Sequence, residues 1–227
     1  MSTSTPALTF VTIGQAPRHD LAAAILEHLP HGVEVSHRGV LDGLTVEEVE
    51  AEYGVGPDDD PLVTKLADGT VVALASSAAD RGLQEIVDAA EADGAETIVI
   101  LCTGEFPDLQ TTHAWLVEPD AVVTAASTGL LRGRRVGILV PMPDQVAPAV
   151  RKWRSLDAPR FAAASPYGSD AAVAAAAQAL VDYGAQALIL DCMGYAPHHR
   201  EAIRAAGIAV PVLVSGSIVG AALGAAL

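Results

Sequence analysis

The chain has 227 residues, of which 51% are hydrophobic and only 4% aromatic, so alanine, valine and leucine must fill most of the core. This length suits one ordinary domain or two small ones. The formal net charge of -15 at pH 7 argues against a nucleic-acid partner, because phosphate recognition needs clustered lysine and arginine. It also repels anions at long range, so a carboxylate ligand would have to be captured by local hydrogen-bond donors.

Strand-like and helix-like patterns alternate along the chain. Short apolar runs predict strands, and they lie at residues 8–13, 71–74, 97–101, 134–140, 160–164, 187–191 and 210–214. Apolar residues at helical spacing predict helices at residues 18–29, 80–92, 145–153, 170–183, from 198 onward and 216–227. Continuous apolar strands that alternate with helices are typical of parallel sheets covered on both faces. We therefore predict an α/β fold with mainly parallel sheets.

Two stretches of the chain, residues 94–107 and 184–197, share one pattern. Each reads Gly-Ala, six mostly apolar residues, Cys, one residue, Gly, two residues and Pro, and together they contain both cysteines of the chain. A helix-like pattern precedes each stretch, and each half of the chain opens with a strand and a loop. We predict two pseudo-symmetric, three-layer α/β domains, residues 1–130 and 131–227, with a cleft between them.

The halves differ by an acidic, turn-rich insertion near residues 39–74 of the first domain. The sequence is compatible with three interpretations of this insertion: a lid over the cleft, a contact in a homodimer, and decoration of the surface.

The last 20 residues, 208–227, carry no charge, and Gly216, Gly220 and Gly224 form overlapping GxxxG spacings of the kind found in membrane helices. Pro211 and a Ser-Gly-Ser run interrupt this stretch, so we predict a buried strand followed by a small-faced helix packed close to a neighbour, and no membrane span. The first residues lack a basic segment followed by a long apolar one, so we expect a cytoplasmic protein.

Cys102 and Cys192 each lie where an apolar strand gives way to a glycine-containing turn. Ligands of open α/β sheets bind beyond the carboxyl ends of the strands, where backbone N–H groups and helix dipoles favour anions and lower a thiol pKa. Two related halves would place one cysteine on each face of a ligand. This arrangement suits inversion at a carbon acid, in which one thiolate removes the proton alpha to a carbonyl or carboxylate and the opposing thiol returns one.

Metal binding, disulfide formation and cofactor chemistry fit the two cysteines less well. No CxxC pattern is present, so we expect no metal site. A disulfide is not expected without a secretion signal, whereas two small buried side chains remain an alternative. No GxGxxG follows the first strand, and neither Lys65 nor Lys152 has a convincing Schiff-base setting. We therefore expect no cofactor.

The chain resembles the aspartate/glutamate/hydantoin racemase superfamily, because CTG at residues 102–104 looks like its first cysteine motif and DCMG at 191–194 like its second. It is still more similar to the AroM-like family. The shared segments are TIGQAPR (12–18), EEVEAEYG (47–54), VGILVP (136–141) and LDCMG (190–194). The resemblance implies two α/β domains, a C-terminal helix (about 216–227) that returns to the first domain, and cofactor-independent chemistry.

The resemblance also implies ligand-binding positions, because the superfamily holds a substrate carboxylate with loop N–H groups and hydroxyls. The candidate positions are Gly14, Gln15, Ser76, Ser77, Thr103, Gly104, Pro141, Gln145, Met193 and Gly194. Arg18 has two interpretations: its fork matches a carboxylate ligand, or it starts a helix and pairs with Asp20 or solvent. His198 and His199 are expected at a helix N-terminus, on the surface or beside the cleft.

The sequence supports three hypotheses on function. The first is a racemase or epimerase for a small carboxylate or cyclic amide, with Cys102 and Cys192 as opposed acid and base. The second is covalent isomerase or decarboxylase chemistry by a single thiolate, which requires the two cysteines to differ; Asp191 beside Cys192 offers such a difference. The third is a protein that binds a small molecule without converting it.

Overall fold

The computed structural model describes residues 7–227. Its strands are β1 (Ala7–Thr12), β2 (Glu34–Gly39), β3 (Pro61–Lys65), β4 (Val71–Ala75), β5 (Thr97–Ile100), β6 (Trp115–Val117), β7 (Val136–Val140), β8 (Arg160–Ala163), β9 (Ala187–Leu190) and β10 (Val212–Val214). Its helices are α1 (His19–Leu26), α2 (Val46–Tyr53), α3 (Ser76–Ala92), α4 (Pro119–Leu130), α5 (Val146–Lys152), α6 (Asp170–Asp182), α7 (Pro197–Ala205) and α8 (Ser215–Gly224). A 3-10 turn at Pro143–Gln145 precedes α5.

The two main sheets have the same topology. The first is ordered β2-β1-β5-β6 and the second, taken from its β8 edge, β8-β7-β9-β10. Every neighbouring pair of strands in both sheets is parallel. Strand β1 therefore corresponds to β7, and β5 to β9. The first half of the molecule carries the first sheet and the second half the second. The predicted α/β fold with two related halves and mainly parallel sheets is confirmed.

The central strands explain why the apolar runs were visible in the sequence. All five residues of β7 and all four of β9 are buried. A strand that is buried on both faces must be apolar at consecutive positions, because helices cover both sides of a parallel sheet. The edge strands β2 and β6 have only one buried residue each and were missed for that reason.

The predicted strand at residues 71–74 exists, but it lies in neither parallel sheet. It belongs to β4, which pairs with β3 in an antiparallel hairpin. The acidic segment before it is less turn-rich than predicted, because it contains helix α2. This helix begins with a capping box, in which Thr45 accepts from the N–H of Glu48 and the Glu48 side chain accepts from the N–H of Thr45.

Helix α8 packs on α1 and α4 of the first half. Its glycines allow this close approach, since a Cβ at Gly220 would lie only 2.8 Å from the carbonyl oxygen of Ile25. Among residues 7–227, no helix is both long enough and apolar enough to cross a membrane.

A continuous hydrophobic core joins the two halves. Phe10 from the first sheet, Ile138 and Trp153 from the second half, and Val219 from α8 all belong to one buried cluster. Two further clusters lie under the outer helices of each half. Because the shared cluster contains residues of both sheets, it holds the two sheets against each other.

Candidate active site

The two cysteines have the same local backbone geometry. Each follows the last residue of its strand, β5 or β9, by two positions. The sulfur of Cys102 accepts a hydrogen bond from the N–H of Gly104, and the sulfur of Cys192 accepts one from the N–H of Gly194, each at 3.3 Å. The internal repeat thus encodes a turn that directs a backbone donor at the sulfur.

The space at the end of both turns favours glycine. A Cβ at Gly104 would lie 3.0 Å from the ring of Phe106, and one at Gly194 would lie 2.9 Å from Pro166. Neither glycine has a positive φ. The glycines therefore permit close packing rather than an unusual backbone conformation.

Both cysteines line one cleft with a volume of about 130 Å³. They are half-buried and free. The first half contributes Ser76 and residues 102–105, and the second half contributes Val140, Pro141, Gln145, Pro148, Ala149, Lys152, Asp191 and Cys192. The remaining wall consists of residues 60–63, at the start of the β3–β4 hairpin.

This hairpin is attached to the second half by two polar contacts. The Gln145 amide donates to the carbonyl oxygen of Pro61 at 3.0 Å, and Arg151 forms an ion pair with Asp60. The hairpin of the insertion therefore lines the cleft and bridges the two halves.

Seven of the sequence-predicted site residues lie on this cleft: Ser76, Cys102, Thr103, Gly104, Pro141, Gln145 and Cys192. Six do not line it: Gly14, Gln15, Arg18, Ser77, Met193 and Gly194. Of these six, Gly194 is in contact with the site through its hydrogen bond to Cys192. Met193 is 3% exposed and belongs to the shared core.

Gln15, Ser77 and Gly14 have structural partners. The Gln15 amide donates to two carbonyl oxygens of the insertion and accepts from a backbone N–H there. Ser77 donates to Asp59. Gly14 is packed so tightly that a Cβ would lie 2.6 Å from the carbonyl oxygen of Lys65. These residues hold the insertion in place.

Arg18 is buried, and its guanidinium is already engaged. It donates through Nε and one terminal nitrogen to the two carboxylate oxygens of Asp20, at 2.8 and 2.7 Å. The same terminal nitrogen also lies 3.3 Å from the Tyr167 hydroxyl. Of the two interpretations of Arg18, the structure shows the pairing with Asp20.

The thiol pKa values differ from the expectation for strand-end cysteines. Burial raises the pKa of Cys102 to about 11 and that of Cys192 to about 12, although the glycine N–H groups act in the opposite direction. The nearby Lys152 lowers the pKa of Cys102, and Asp191 raises the pKa of both thiols. The expected lowering is outweighed because the thiols lie in a poorly solvated cleft.

The charged network beneath the cysteines has no signature in the sequence. The Lys152 ammonium lies 2.8 Å from Asp191, 2.8 Å from Asp120 and 2.9 Å from the carbonyl oxygen of Thr103. The Trp153 indole N–H donates to the other oxygen of Asp191 at 2.6 Å. The sequence raised Lys152 only as a Schiff-base residue, and no local pattern indicates partners so distant in the chain.

The AroM protein family matches residues 8–225. The chain belongs to the AroM family. No curated protein matches it in sequence.

Several solved structures share the fold of this AroM-family chain. Allantoin racemase from Klebsiella pneumoniae is similar with a TM-score of 0.64 and 16% identity, over 98% of this chain and 87% of that chain. Arylmalonate decarboxylase has a TM-score of 0.61 and 15% identity, over 98% of this chain and 92% of that chain. Glutamate racemase from Aquifex pyrophilus has a TM-score of 0.59 and 13% identity, over 97% of this chain and 84% of that chain. At such low identity, the likeness shows a common fold.

The histidines of the AroM-family chain lie away from the cleft. His198 is exposed and His199 is buried, and with Asp170 they form the one cluster in residues 7–227 with metal-like spacing. Nδ1 of His199 accepts from the N–H of Ala196 at 3.0 Å, and Nε2 lies 3.2 Å from the carbonyl oxygen of Pro166. Because both ring nitrogens are engaged, His199 supports the backbone near Cys192 and offers no free ligand atom.

Proposed function

We propose that this AroM-family protein is a cofactor-independent isomerase of the racemase or epimerase type. The observation that carries the proposal is that both free cysteines follow equivalent strands, accept equivalent hydrogen bonds and line the same cleft. Two of the structurally similar proteins, allantoin racemase and glutamate racemase, are racemases by name, which supports the proposal.

In the proposed reaction, one cysteine acts as a base and the other as an acid. The thiolate takes the proton from the carbon alpha to a carbonyl group, so the C–H bond breaks, an S–H bond forms, and the electron pair moves into the adjacent carbonyl. The opposing thiol then gives its proton to the other face of that carbon. The reverse reaction exchanges the roles of the two residues.

Electrostatic coupling between the two cysteines disfavours the state in which both are thiolates. The charge of Cys102 raises the pKa of Cys192, so loss of one proton makes loss of the second harder. Once one cysteine is a thiolate, its partner therefore stays a thiol, which is the pair of protonation states that the reaction needs. A thiolate in a poorly solvated site is also a stronger base than one in water.

The charge of the cleft favours a neutral ligand. Its lining includes the acidic residues Asp60, Glu105 and Asp191, and the only lysine or arginine that lines it among the described residues is Lys152. That ammonium is already shared by Asp120 and Asp191. A dicarboxylate would meet repulsion without a free cation to offset it, whereas a cyclic amide would not.

Gln145 supports the same ligand class. Its amide nitrogen donates to Pro61, which fixes the orientation of the group. Its buried Oε1 has no hydrogen-bond donor among residues 7–227. A buried acceptor without a partner is costly, and the N–H of a ring amide in the cleft would satisfy it. The hydroxyls of Ser76 and Thr103, also on the cleft, are suitable donors for a ring carbonyl.

The test is incubation in heavy water with single enantiomers of substituted hydantoins, compared with aspartate and glutamate. We expect loss of optical activity and deuterium at the alpha carbon for hydantoins, and neither change with a Cys102→Ala/Cys192→Ala double variant. Exchange that is equally fast in the double variant, or no exchange of any compound by the unmodified protein, would contradict the proposal.

A second candidate function is decarboxylation by a single thiol. It is favoured by the unequal surroundings of the cysteines, since Lys152 lowers the pKa of Cys102 only and Asp191 adjoins Cys192. One of the structurally similar proteins is arylmalonate decarboxylase. Release of carbon dioxide from substituted malonates, lost in only one single-cysteine variant, would select it. A ligand that raises the melting temperature and undergoes neither reaction would select binding without conversion.

A further inference from the structure

One buried lysine touches the loops of both cysteines. Lys152, at the end of α5, has a side chain that is only 8% exposed. Its ammonium donates to the carbonyl oxygen of Thr103, the residue after Cys102, at 2.9 Å. It also donates to the carboxylate of Asp191, the residue before Cys192, at 2.8 Å. Thr103 belongs to the first half and Asp191 to the second.

We propose that Lys152 is a positioning residue that holds the Cys102 and Cys192 loops at a fixed separation across the cleft. The Lys152 ammonium donates hydrogen bonds to Thr103 and Asp191, and it forms an ion pair with Asp120 at 2.8 Å. All three of these partners belong to the protein. The role of Lys152 is therefore to connect protein groups.

The second anchor of this connection is the neighbouring residue. Trp153 is fully buried in the core shared by both halves, and its indole N–H donates to Asp191 at 2.6 Å. Consecutive residues at the end of α5 thus occupy both oxygens of one carboxylate. The Asp191 side chain, which is 4% exposed, is held on both sides. Movement of the Cys192 loop relative to the core would break both contacts.

The connection also matters for the chemistry. Proton transfer between two opposed groups needs each of them within hydrogen-bond reach of the same carbon. A displacement of about 1 Å can cost about a hundredfold in rate. The two loops belong to different sheets, so their spacing depends on contacts that cross between the halves. Lys152 supplies such a contact immediately beside both cysteines.

The first test measures the spacing of the sulfurs directly. A series of bis-methanethiosulfonate reagents with increasing spacer length would cross-link Cys102 to Cys192, and mass spectrometry would quantify the product. The test variant is Lys152→Met/Asp191→Asn, which removes the two opposite charges together. The matched control is Lys65→Met, because Lys65 is the only other lysine of the chain.

We expect the unmodified protein and the Lys65→Met control to share one optimal spacer. In the folded double variant, the yield at that spacer should fall about tenfold or more. The pH profiles for alkylation of Cys102 and of Cys192 should also become more similar in the double variant. Cys192 loses the Asp191 charge that raises its pKa, whereas Cys102 loses both that charge and the opposing one of Lys152. An unchanged optimum, yield and interval between the profiles in the folded double variant would overturn the proposal.

A second test uses the unmodified protein and does not depend on the folding of a variant. Acetylation with limiting reagent would compare the amines of Lys152 and Lys65 within one molecule. A buried ammonium that donates to Thr103 and Asp191 and pairs with Asp120 should react at least about tenfold more slowly than the partly exposed Lys65. Equal rates would overturn the proposal. Neither test involves ligand turnover, so failure here is distinguishable from failure of the proposed isomerase activity.

Discussion

The loops of Cys102 and Cys192 are equivalent in backbone and different in surroundings. Both sulfurs accept an N–H bond at 3.3 Å from a glycine two residues later. Cys102 faces the β3–β4 hairpin, since Leu62 packs 3.1 Å from the Cβ position of Gly104. Cys192 adjoins an aromatic and basic group, in which Tyr167 contacts Arg18 and Gly194.

This difference shows how one repeated motif comes to lie in two different environments. The hydrogen bond to sulfur is local and is therefore kept wherever the Cys-x-Gly pattern recurs. The charges around each thiol come from other parts of the chain, and they differ because Lys152 and Asp120 act on Cys102 whereas Arg18 acts on Cys192. The comparison predicts two cysteines that are interchangeable in geometry and unequal in acidity.

Single substitutions of the cysteines should have the largest effect. Cys102→Ala and Cys192→Ala should each lower racemisation by about 10²–10⁴-fold, because each removes an acid–base group. Each variant should still exchange the alpha proton of the enantiomer that faces its remaining cysteine. The measurement is deuterium incorporation into the separate enantiomers of a hydantoin substrate. If both variants exchange the same enantiomer, the cysteines do not lie on opposite faces of the ligand.

Removal of the indole donor should show how strongly the Cys192 loop is anchored to the core. Trp153→Phe leaves one buried oxygen of Asp191 without a partner, so the free energy of unfolding should fall by about 1–3 kcal/mol. Urea unfolding would measure this change. The matched control is the other tryptophan, Trp115, which is 46% exposed; Trp115→Phe should change the free energy of unfolding by less than about 0.5 kcal/mol. Equal effects at the two positions would show that the bond to Asp191 contributes little.

Alkylation should resolve the two thiols by pH. The pKa is about 11 for Cys102 and about 12 for Cys192, and only the thiolate reacts. Cys102 should therefore be the faster of the two with iodoacetamide at alkaline pH, with peptide mass spectrometry as the measurement. Identical rates for both cysteines across the pH range would remove the asymmetry on which the single-thiol alternative depends.

The smallest effect should come from Glu91, which supports the segment after the Cys102 loop. Its carboxylate accepts from the backbone N–H groups of Ala114, His113 and Thr112, which lower its pKa from 4.5 to about 2. The stability that these bonds contribute is present above pH 4.5 and is lost as the pH falls towards 2.

The substitution Glu91→Gln keeps an acceptor oxygen but removes the charge, so it should lower the melting temperature slightly at pH 7. The difference from the unmodified protein should shrink as the pH falls. The exposed Glu96→Gln is the matched control and should show little of this trend. A melting-temperature difference for Glu91→Gln that does not change between pH 7 and pH 2 would contradict this account.

The sequence alone determined the class of the fold and the pairing of the cysteines. Strands such as β7 and β9 are apolar at every position because both of their faces are covered, and this pattern needs no knowledge of the partners. The Cys-x-Gly turn is equally local, since its sulfur and its donor lie two residues apart.

Only the tertiary structure decided which groups surround the two thiols. The predicted strand at 71–74 left the parallel sheets because β4 pairs with β3, and the resulting hairpin lines the cleft. Arg18, which the motif alone left open to a ligand, is engaged by Asp20. Lys152 finds Thr103 and Asp191 at separations of 49 and 39 residues. Charges so distant in the chain meet only after the two halves have docked, and the docked core, rather than any local pattern, determines which of them pair.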